Sequence, residues 1–456
     1  MLFMRFQDRT LNRIFPTAIL SALIFLAVPG SVRGAEPSSS IPAAGKTSEM
    51  LDDLVSELLR VNPELQAAQA SARVARAQAG LEGGLEAPQV GMDFFQIPVA
   101  SFPDPGKNNL EIDYFAQQDV MFPGRLIALG TAENRRAAMR EQEARMLAQR
   151  LVTNLKSAYY ELYEVDRKLY INRQNLELMQ QLQDLARKQY ELGMGNQSDV
   201  LRAQTEFTSL QSTALILTQA RESLSAELVA LLNRTSETPW DAVPELTWSK
   251  QSWSLAQLKS LTEKNQPELQ AAQWGVEMAR AERGAAFWGF FPDFMAKGMY
   301  KDMRGMGDNF WSLMLGVTLP IAPWSAPKTV SRYQQTQAAL EAAQANLRQT
   351  QNRVQAQLRQ TLGRVNANQA LAELTEKTLL VQAEQTLQST LAAYQTGKRD
   401  FMTLLDAYRL LWMARENRVM AVKNLMTSLA DLEQAVGLNL EEIQKALQDQ
   451  KVESRE

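Results

Sequence analysis

The chain contains no cysteine and no histidine in 456 residues. Without cysteine there is neither a disulfide framework nor a thiolate metal site. Without histidine the commonest general base, the commonest zinc ligand and the Ser-His-Asp triad are missing. No Gly-rich phosphate loop replaces them, and the adjacent carboxylates Asp52 and Asp53 stand on an exposed-looking helix start. The chain therefore reads as no enzyme and implies no cofactor. An excess of one charge is lacking too. The formal net charge is −3 with 22% charged residues, which makes no case for nucleic acid. Past the N-terminal region no apolar run reaches the length of a membrane helix.

The N-terminal region is different. Arg5, Arg9 and Arg13 make a positive start, diluted by Asp8, ahead of an apolar run from Ile14 to Val28. This predicts a signal peptide over residues 1–34, cut after Gly34 with Val32 at the −3 position, or after Ala35. With no cysteine near that point, no thioether lipid can be attached there. Residues 35–47 are small, polar and Pro-containing and read as a flexible leader.

The dominant feature is a repeat. NPELQAAQ, Asn62 to Gln69, returns as QPELQAAQ, Gln266 to Gln273, an offset of 204 residues. At the same offset Ala75-Arg76-Ala77 answers to Ala279-Arg280-Ala281, Pro88 to Pro292, Tyr190 and Gly193 to Tyr394 and Gly397, and Leu201 and Ala203 to Leu405 and Ala407. Asn233 and Gly437, each ending a helical run, also correspond. So long a period is not that of a solenoid. It is one half-molecule folded twice, with repeats at about 48–233 and 254–437, a body spanning 48–437 and a polar tail at 438–456.

Each repeat predicts a long helix, from about Arg125 to Leu192 and from about Lys328 to Thr396. In the first, Leu147, Leu151, Leu155, Leu162, Val165, Leu169, Leu176, Met179 and Leu182 recur mostly at steps of three and four, the seam of a coiled coil. Such a helix is about 100 Å long at ~1.5 Å per residue. Shorter runs at Ser48–Leu85, Asn196–Leu232, Leu255–Phe287 and Asp400–Val436 would stack end to end, giving two long and two composite columns. Gly193 and Gly397 suit left-handed helix ends, with Asn196 and Asp400 as caps of the returning helices and Asp199 and Thr403 at their third positions.

Four strands are expected between the helices, near Gln89–Ile97, Asn109–Val120, Phe294–Asp302 and Asn309–Leu319, forming hairpins at 89–120 and 294–319. Loops at 99–108 and 303–308 join each pair. Leu110, Ile112, Tyr114 and Ala116 alternate with polar residues, as do Trp311, Leu313, Leu315, Val317 and Leu319 with Ser312, Met314, Gly316 and Thr318. This is the apolar-out, polar-in dyad of an outer-membrane barrel. Four strands cannot close a barrel, since the smallest have about eight, and lipid tolerates no open edge. The strands must be pooled between chains.

The repeated octapeptide, VMFPGR and VTLPIA at the strand-to-helix junctions, FPDF before the third strand, and the tips GMGNQSDVLRAQ and GKRDFMTLLDA together resemble the outer-membrane efflux family of TolC type over nearly the whole body. The resemblance implies a mainly α fold with a membrane β-barrel portion: a homotrimer whose chains each give four strands to a twelve-stranded barrel standing on a long coiled-coil helical tunnel. It implies a passive exit duct in the outer membrane of a Gram-negative bacterium, extending into the periplasm and surrounded by outer-membrane lipid. Such a duct serves tripartite efflux or type I secretion. A periplasmic adaptor (membrane-fusion) protein joins it to an inner-membrane pump of RND or ABC type. The segment Thr235–Trp253, with Trp240, Trp248 and Trp253, would belong to a belt around the tunnel.

A secreted coiled-coil or adaptor protein outside the membrane is the alternative reading; it would not need two hairpins at equal spacing, each preceded by a strand pair. Met295, Met299 and Met303 share a strand face with Lys297 and Lys301, with Met306 just beyond. Thioethers suit Cu(I), and FPDF leans toward a heavy-metal branch of the family. Methionines that merely fill space beside cation-repelling lysines need no metal, and none is assigned. In TolC-type proteins the tips are held shut by links from a Tyr and an Arg on the second hairpin to a Ser or Thr and an Asp on the first. The matching residues are Tyr394, Arg399, Ser198 and Asp199. Of two acidic positions ringing the constriction, the first is here Thr403, a departure, and the second is retained as Asp406. Adaptor docking is expected at the tips, 193–201 and 397–405, around Gly193, Asn196, Leu201, Gly397, Asp400 and Leu405.

Overall fold

Proline sets where two of the shorter helices begin. The computed structural model describes residues 46–453 apart from 96, 98, 100–110, 236–239, 304–306 and 321, all within the unit Pro42–Glu456. The expected signal peptide, its cleavage point, the leader up to residue 45, most of the first hairpin loop and Met306 lie outside the described residues.

The single helical run expected at Ser48–Leu85 is two helices, α1 (Lys46–Val61) and α2 (Pro63–Glu82). That expected at Leu255–Phe287 is likewise α5 (Leu255–Asn265) and α6 (Pro267–Trp288). Pro63 and Pro267 cannot donate to the preceding turn, and each holds the residue before it out of the helical region. Asn62 has ψ 122° and Gln266 ψ 114°. Each proline then occupies the first helical position, where no donor is missed. Asn62 also caps, its Oδ1 accepting from Leu65 N at 3.1 Å.

The same two residues explain why this octapeptide recurs. Asn62 Nδ2 donates to Leu231 O at 3.0 Å, at the end of α4 (Gln197–Leu231). Gln266 Nε2 donates to Gln434 O at 3.0 Å and Ala435 O at 3.2 Å, near the end of α9 (Phe401–Val436). Each cap thus ties the start of one short helix to carbonyls orphaned at the end of another, and α4 with α2, and α9 with α6, stack end to end.

Against these composites lie the long columns. α3 (Pro123–Glu191) runs 69 residues and packs on α2, α4, α6 and α9. Its seam residues Leu151, Leu155, Leu162, Met179 and Leu182 are buried, each burial stabilising by about 1.5–3 kcal/mol before entropy is counted. The second column is not the uninterrupted helix expected. It consists of α7 (Ala326–Leu374), a π-turn at Thr375–Leu379 and α8 (Leu380–Gln395). The belt packs as expected: Trp240 and Trp248 rest on the core of α1, α3 and α9, and Trp248 and Trp253 on that of α5, α7 and α9. The segment after Gly437 is more than a polar tail. It forms α10 (Leu440–Glu453), and Ile443 and Leu447 are buried in the latter core.

Both tips end in the same hydrogen-bonded turn. Gly193 (φ 72°) and Gly397 (φ 70°) are left-handed. Gly193 N donates to Tyr190 O and Met194 N to Gln189 O, while Gly397 N donates to Tyr394 O and Lys398 N to Ala393 O, the two bonds of a Schellman motif. Gly437 (φ 90°) is more confined, because a Cβ there would meet Asn265 O at 2.7 Å. Gly193→Ala meets nothing within 4 Å and bears only the left-handed strain of about 1–2 kcal/mol. Gly437→Ala bears that strain plus a backbone clash, so it is expected to melt at the lower temperature of the two when thermal unfolding is followed by circular dichroism.

The strands β1 (Gln89–Phe95), β2 (Glu111–Val120), β3 (Asp293–Met303) and β4 (Phe310–Thr318) form one antiparallel sheet in the order β1-β2-β3-β4. The β2–β3 pairing joins the two repeats, with Tyr114 opposite Tyr300 and Phe115 opposite Met299.

Candidate functional site

Because side chains alternate along a strand, register assigns every residue of the sheet to one of two faces. One face carries Val90, Met92, Tyr114, Phe294, Trp311, Leu313, Leu315 and Val317. All are exposed, Trp311 at 81% and Leu315 at 74%. An apolar surface of this size turned outward matches lipid. Among the described residues no helix is long and apolar enough to cross a membrane.

The opposite face is polar and internally tied. Lys301 Nζ pairs with Glu111 at 2.7 Å and with Asp113 at 3.1 Å. Lys297 Nζ lies 4.0 Å from the centre of the Phe115 ring. Both lysines therefore lean toward β2, and Lys301 is not the free cation-repelling charge expected from the sequence. Met295, Met299 and Met303 stand on this face as predicted, four residues or about 13 Å apart along the strand. They make a row along the face rather than a cluster. Gly91 and Gly316 give room there, since the Phe115 ring covers the first and the Met295 methyl the second.

The two family-like junction sequences meet one another. Phe122 N donates to Asp293 Oδ1 at 2.8 Å, and Arg125 pairs with Asp293 at 3.3 Å. Phe122 stacks on Trp288 at 5.3 Å and on Phe291 at 4.8 Å. Gly124 lies under the Trp288 ring, where a Cβ would come within 2.7 Å. FPGR and FPDF are thus the halves of one joint, an aromatic cluster of the kind that girdles a barrel at the membrane surface.

At the tips, the sequence-matched residues lie as follows. Tyr394 is buried, with its ring 5.8 Å from that of Phe401. Burial, and then the Asp199 carboxylate, push its phenol above the usual range. Arg399, Ser198 and Asp406 are exposed and Asp199 is half-buried. Among the described residues no hydrogen bond or ion pair joins Arg399 to Asp199 within the chain. Asp400 caps α9, accepting from Thr403 N at 3.0 Å and from the Thr403 hydroxyl; these bonds hold its carboxyl below the usual range. Asn196 occupies the corresponding cap position of α4 but makes no side-chain bond there, a correction to its expected role; only its carbonyl accepts, from Asp199 N at 3.1 Å. Leu201 is exposed, but Leu405 is buried with Phe401 and Tyr408; it packs the hairpin rather than offering a docking surface.

Sequence reasoning missed a two-bond ionic link between the hairpins. Arg409 on α9 donates two hydrogen bonds to Glu206 on α4, at 3.2 and 2.7 Å, and Glu206 is only 9% exposed. The bonds it donates to Glu206 hold the Arg409 guanidinium above its usual range. The one signal available was a pair of opposite charges on the matched helices at nearly the repeat offset.

Comparison with known proteins gives a consistent result. The family model described as "Outer membrane efflux protein" matches twice, over residues 54–234 and 258–438. The chain is 25% identical over 324 residues to outer membrane protein TolC of Vibrio cholerae serotype O1, covering 68% of this chain and 73% of that protein. Its fold is similar to that of CusC (TM-score 0.73, 20% identity, 90% of this chain and 99% of that one). It is also similar to the open state of the MtrE outer membrane channel of Neisseria gonorrhoeae (TM-score 0.72, 18% identity, 86% and 89%).

Proposed function

Since the chain belongs to the outer membrane efflux protein family and is an outer-membrane exit duct, we propose that it works as a gated homotrimer. Three chains pool their sheets into a twelve-stranded barrel, and the columns α3 and α7–α8 with their stacked partners continue it as a periplasmic tunnel. The observation that carries this reading is the sheet itself: its outward face is apolar and exposed, and among the described residues both its edge strands, β1 and β4, lack an outer partner. Closure with copies of the chain removes the edges. The duct is passive. A periplasmic adaptor docking at the tips links it to an inner-membrane pump of RND or ABC type, which supplies the energy.

A tunnel of this kind needs closing at rest. Tyr394, Arg399, Ser198 and Asp199 form the gate, with Asp406 ringing the constriction. The exposure of Arg399 and Ser198 in the single chain supports this reading, as both are free to meet a neighbour. Each link at such a surface stabilises by about 1 kcal/mol or less, so several must act together around the ring. Arg399→Ser with Tyr394→Phe is expected to raise single-channel conductance in planar bilayers while leaving the trimer intact. A double variant conducting no better than the parent would remove these residues from the gate.

A further inference from the structure

The polar face of the sheet carries side chains that a water-filled wall does not need. Met295, Met299 and Met303 on β3 are joined there by Met314 on β4. Register sets Met314 opposite Lys297, between Gly316, which faces Met295, and Ser312, which faces Met299. Met314 is therefore the diagonal neighbour of both, at about 7–8 Å, within reach of long side chains. Met295, Met299 and Met314 thus stand at the corners of a triangle. Met303 lies outside it, four residues past Met299 on the same strand. Met295 leans toward β4, since its methyl covers Gly316.

Methionine commonly fills gaps in a core, but Met314 is 52% exposed and Met295 and Met299 are half-buried, so none of the three is enclosed in one. The charge around them favours a cation. Asp93, Glu111, Asp113 and Asp119 share the face with Lys297 and Lys301, which sets four carboxylates against two ammonium groups. Neither lysine bars the triangle. Lys301 is held by Glu111 and Asp113, and Lys297 is drawn over the Phe115 ring on β2, away from Met314 on β4. Asp119 faces Met295 from β2, beside a cavity of about 220 Å³ lined in part by Asp119, Met121, Met295 and Thr318.

We propose that Met295, Met299 and Met314 form a thioether site for a soft monovalent cation, Cu(I) or Ag(I), on the inner wall of the barrel. Thioether sulfur is a soft donor suited to such ions, whereas carboxylate and water suit hard ones. The carboxylates concentrate cations along the wall, and the sulfurs select among them. Three donors on one wall leave the remaining side of the ion to water, so it is held without being trapped, as passage through a duct requires. The proposal rests on the barrel reading above, which makes this face the interior, and adds to it a class of ligand. The whole triangle belongs to one chain and recurs in each copy around the barrel.

Calorimetric titration of the purified full-length protein with silver nitrate, in chloride-free buffer containing excess Ca(II), tests the site. The absence of cysteine and histidine removes the competing thiolate and imidazole ligands. Met299→Leu with Met314→Leu conserves side-chain volume and is expected to bind one Ag(I) fewer per chain than the parent. Met303→Leu, on the same face but outside the triangle, is expected to bind as many as the parent. Equal uptake by the parent and the double variant overturns the site. A full equivalent lost with Met303→Leu also overturns it, because the sulfurs then act singly. Loss of the difference when Ca(II) is added assigns the ion to carboxylates, with the same consequence. Electrophoresis of the same samples without heating reads the trimer. A trimer whose Ag(I) uptake ignores the double substitution overturns the site alone; a protein that shows the expected difference but forms no trimer overturns the barrel reading and leaves the thioether site standing.

Discussion

Glu433→Ala is expected to destabilise the protein by about 3–5 kcal/mol, because it leaves a buried ammonium without its partner. Lys156 and Glu433 pair at 2.5 Å with side chains only 13% and 11% exposed. Glu433 also accepts from Leu440 N at 2.9 Å through its other oxygen. One carboxylate therefore neutralises α3 and holds the first residue of α10. Its loss frees that helix as well, and with it the burial of Ile443 and Leu447. Lys156→Met with Glu433→Leu removes both charges and is expected to recover the part of the loss due to the unpaired ammonium, since a buried pair replaced by apolar residues of similar size is often near neutral, but not the hold on Leu440 N. Thermal unfolding in detergent separates the two variants, while proteolysis of the C-terminal segment is expected to rise in both. Equal melting of Glu433→Ala and the parent would mean that the pair is solvated and α10 is held by its apolar face alone.

Much of this architecture was readable because duplication wrote it twice. A pattern of threes and fours, a glycine at each tip and alternation in the strands are local properties, and each one fixes backbone geometry without help from the rest of the chain. The octapeptide was recognisable as a repeat but not as a joint. Asn62 and Gln266 act through carbonyls 169 residues away, and no local rule carries that distance. The proline in each copy was the missed cue that splits the expected runs at Ser48–Leu85 and Leu255–Phe287. The π-turn left no comparable mark: Thr-Glu-Lys-Thr-Leu has ordinary helical composition. The tip shows the same division. Gly193, Gly397 and Asp400 follow local capping chemistry and lie where expected. Asn196 has the right residue type and backbone but no side-chain bond, and the Glu206–Arg409 pair depends on how two hairpins lie together. No bond joins Arg399 to Asp199 among the described residues of one chain, so their pairing rests on resemblance and on the conductance test.

The facing of the sheet carries the largest consequence for assembly. Leu315→Arg places a cation among Trp311, Leu313 and Val317 on the apolar face, where the cost near the middle of a bilayer is about 2–4 kcal/mol. A trimer incurs that cost three times. Met314→Arg is the adjacent residue on the same strand, but it points to the opposite, polar face, across from Lys297, the face that also carries Asp119. Leu315→Arg is therefore expected to abolish the heat-modifiable trimer in outer-membrane fractions, while Met314→Arg assembles and alters only the conductance. The two substitutions share chemistry, depth and helix-free surroundings and differ only in side of the pleat. If Met314→Arg blocks assembly and Leu315→Arg passes, the sheet faces the other way; if both assemble normally, the strands do not cross the membrane at this level.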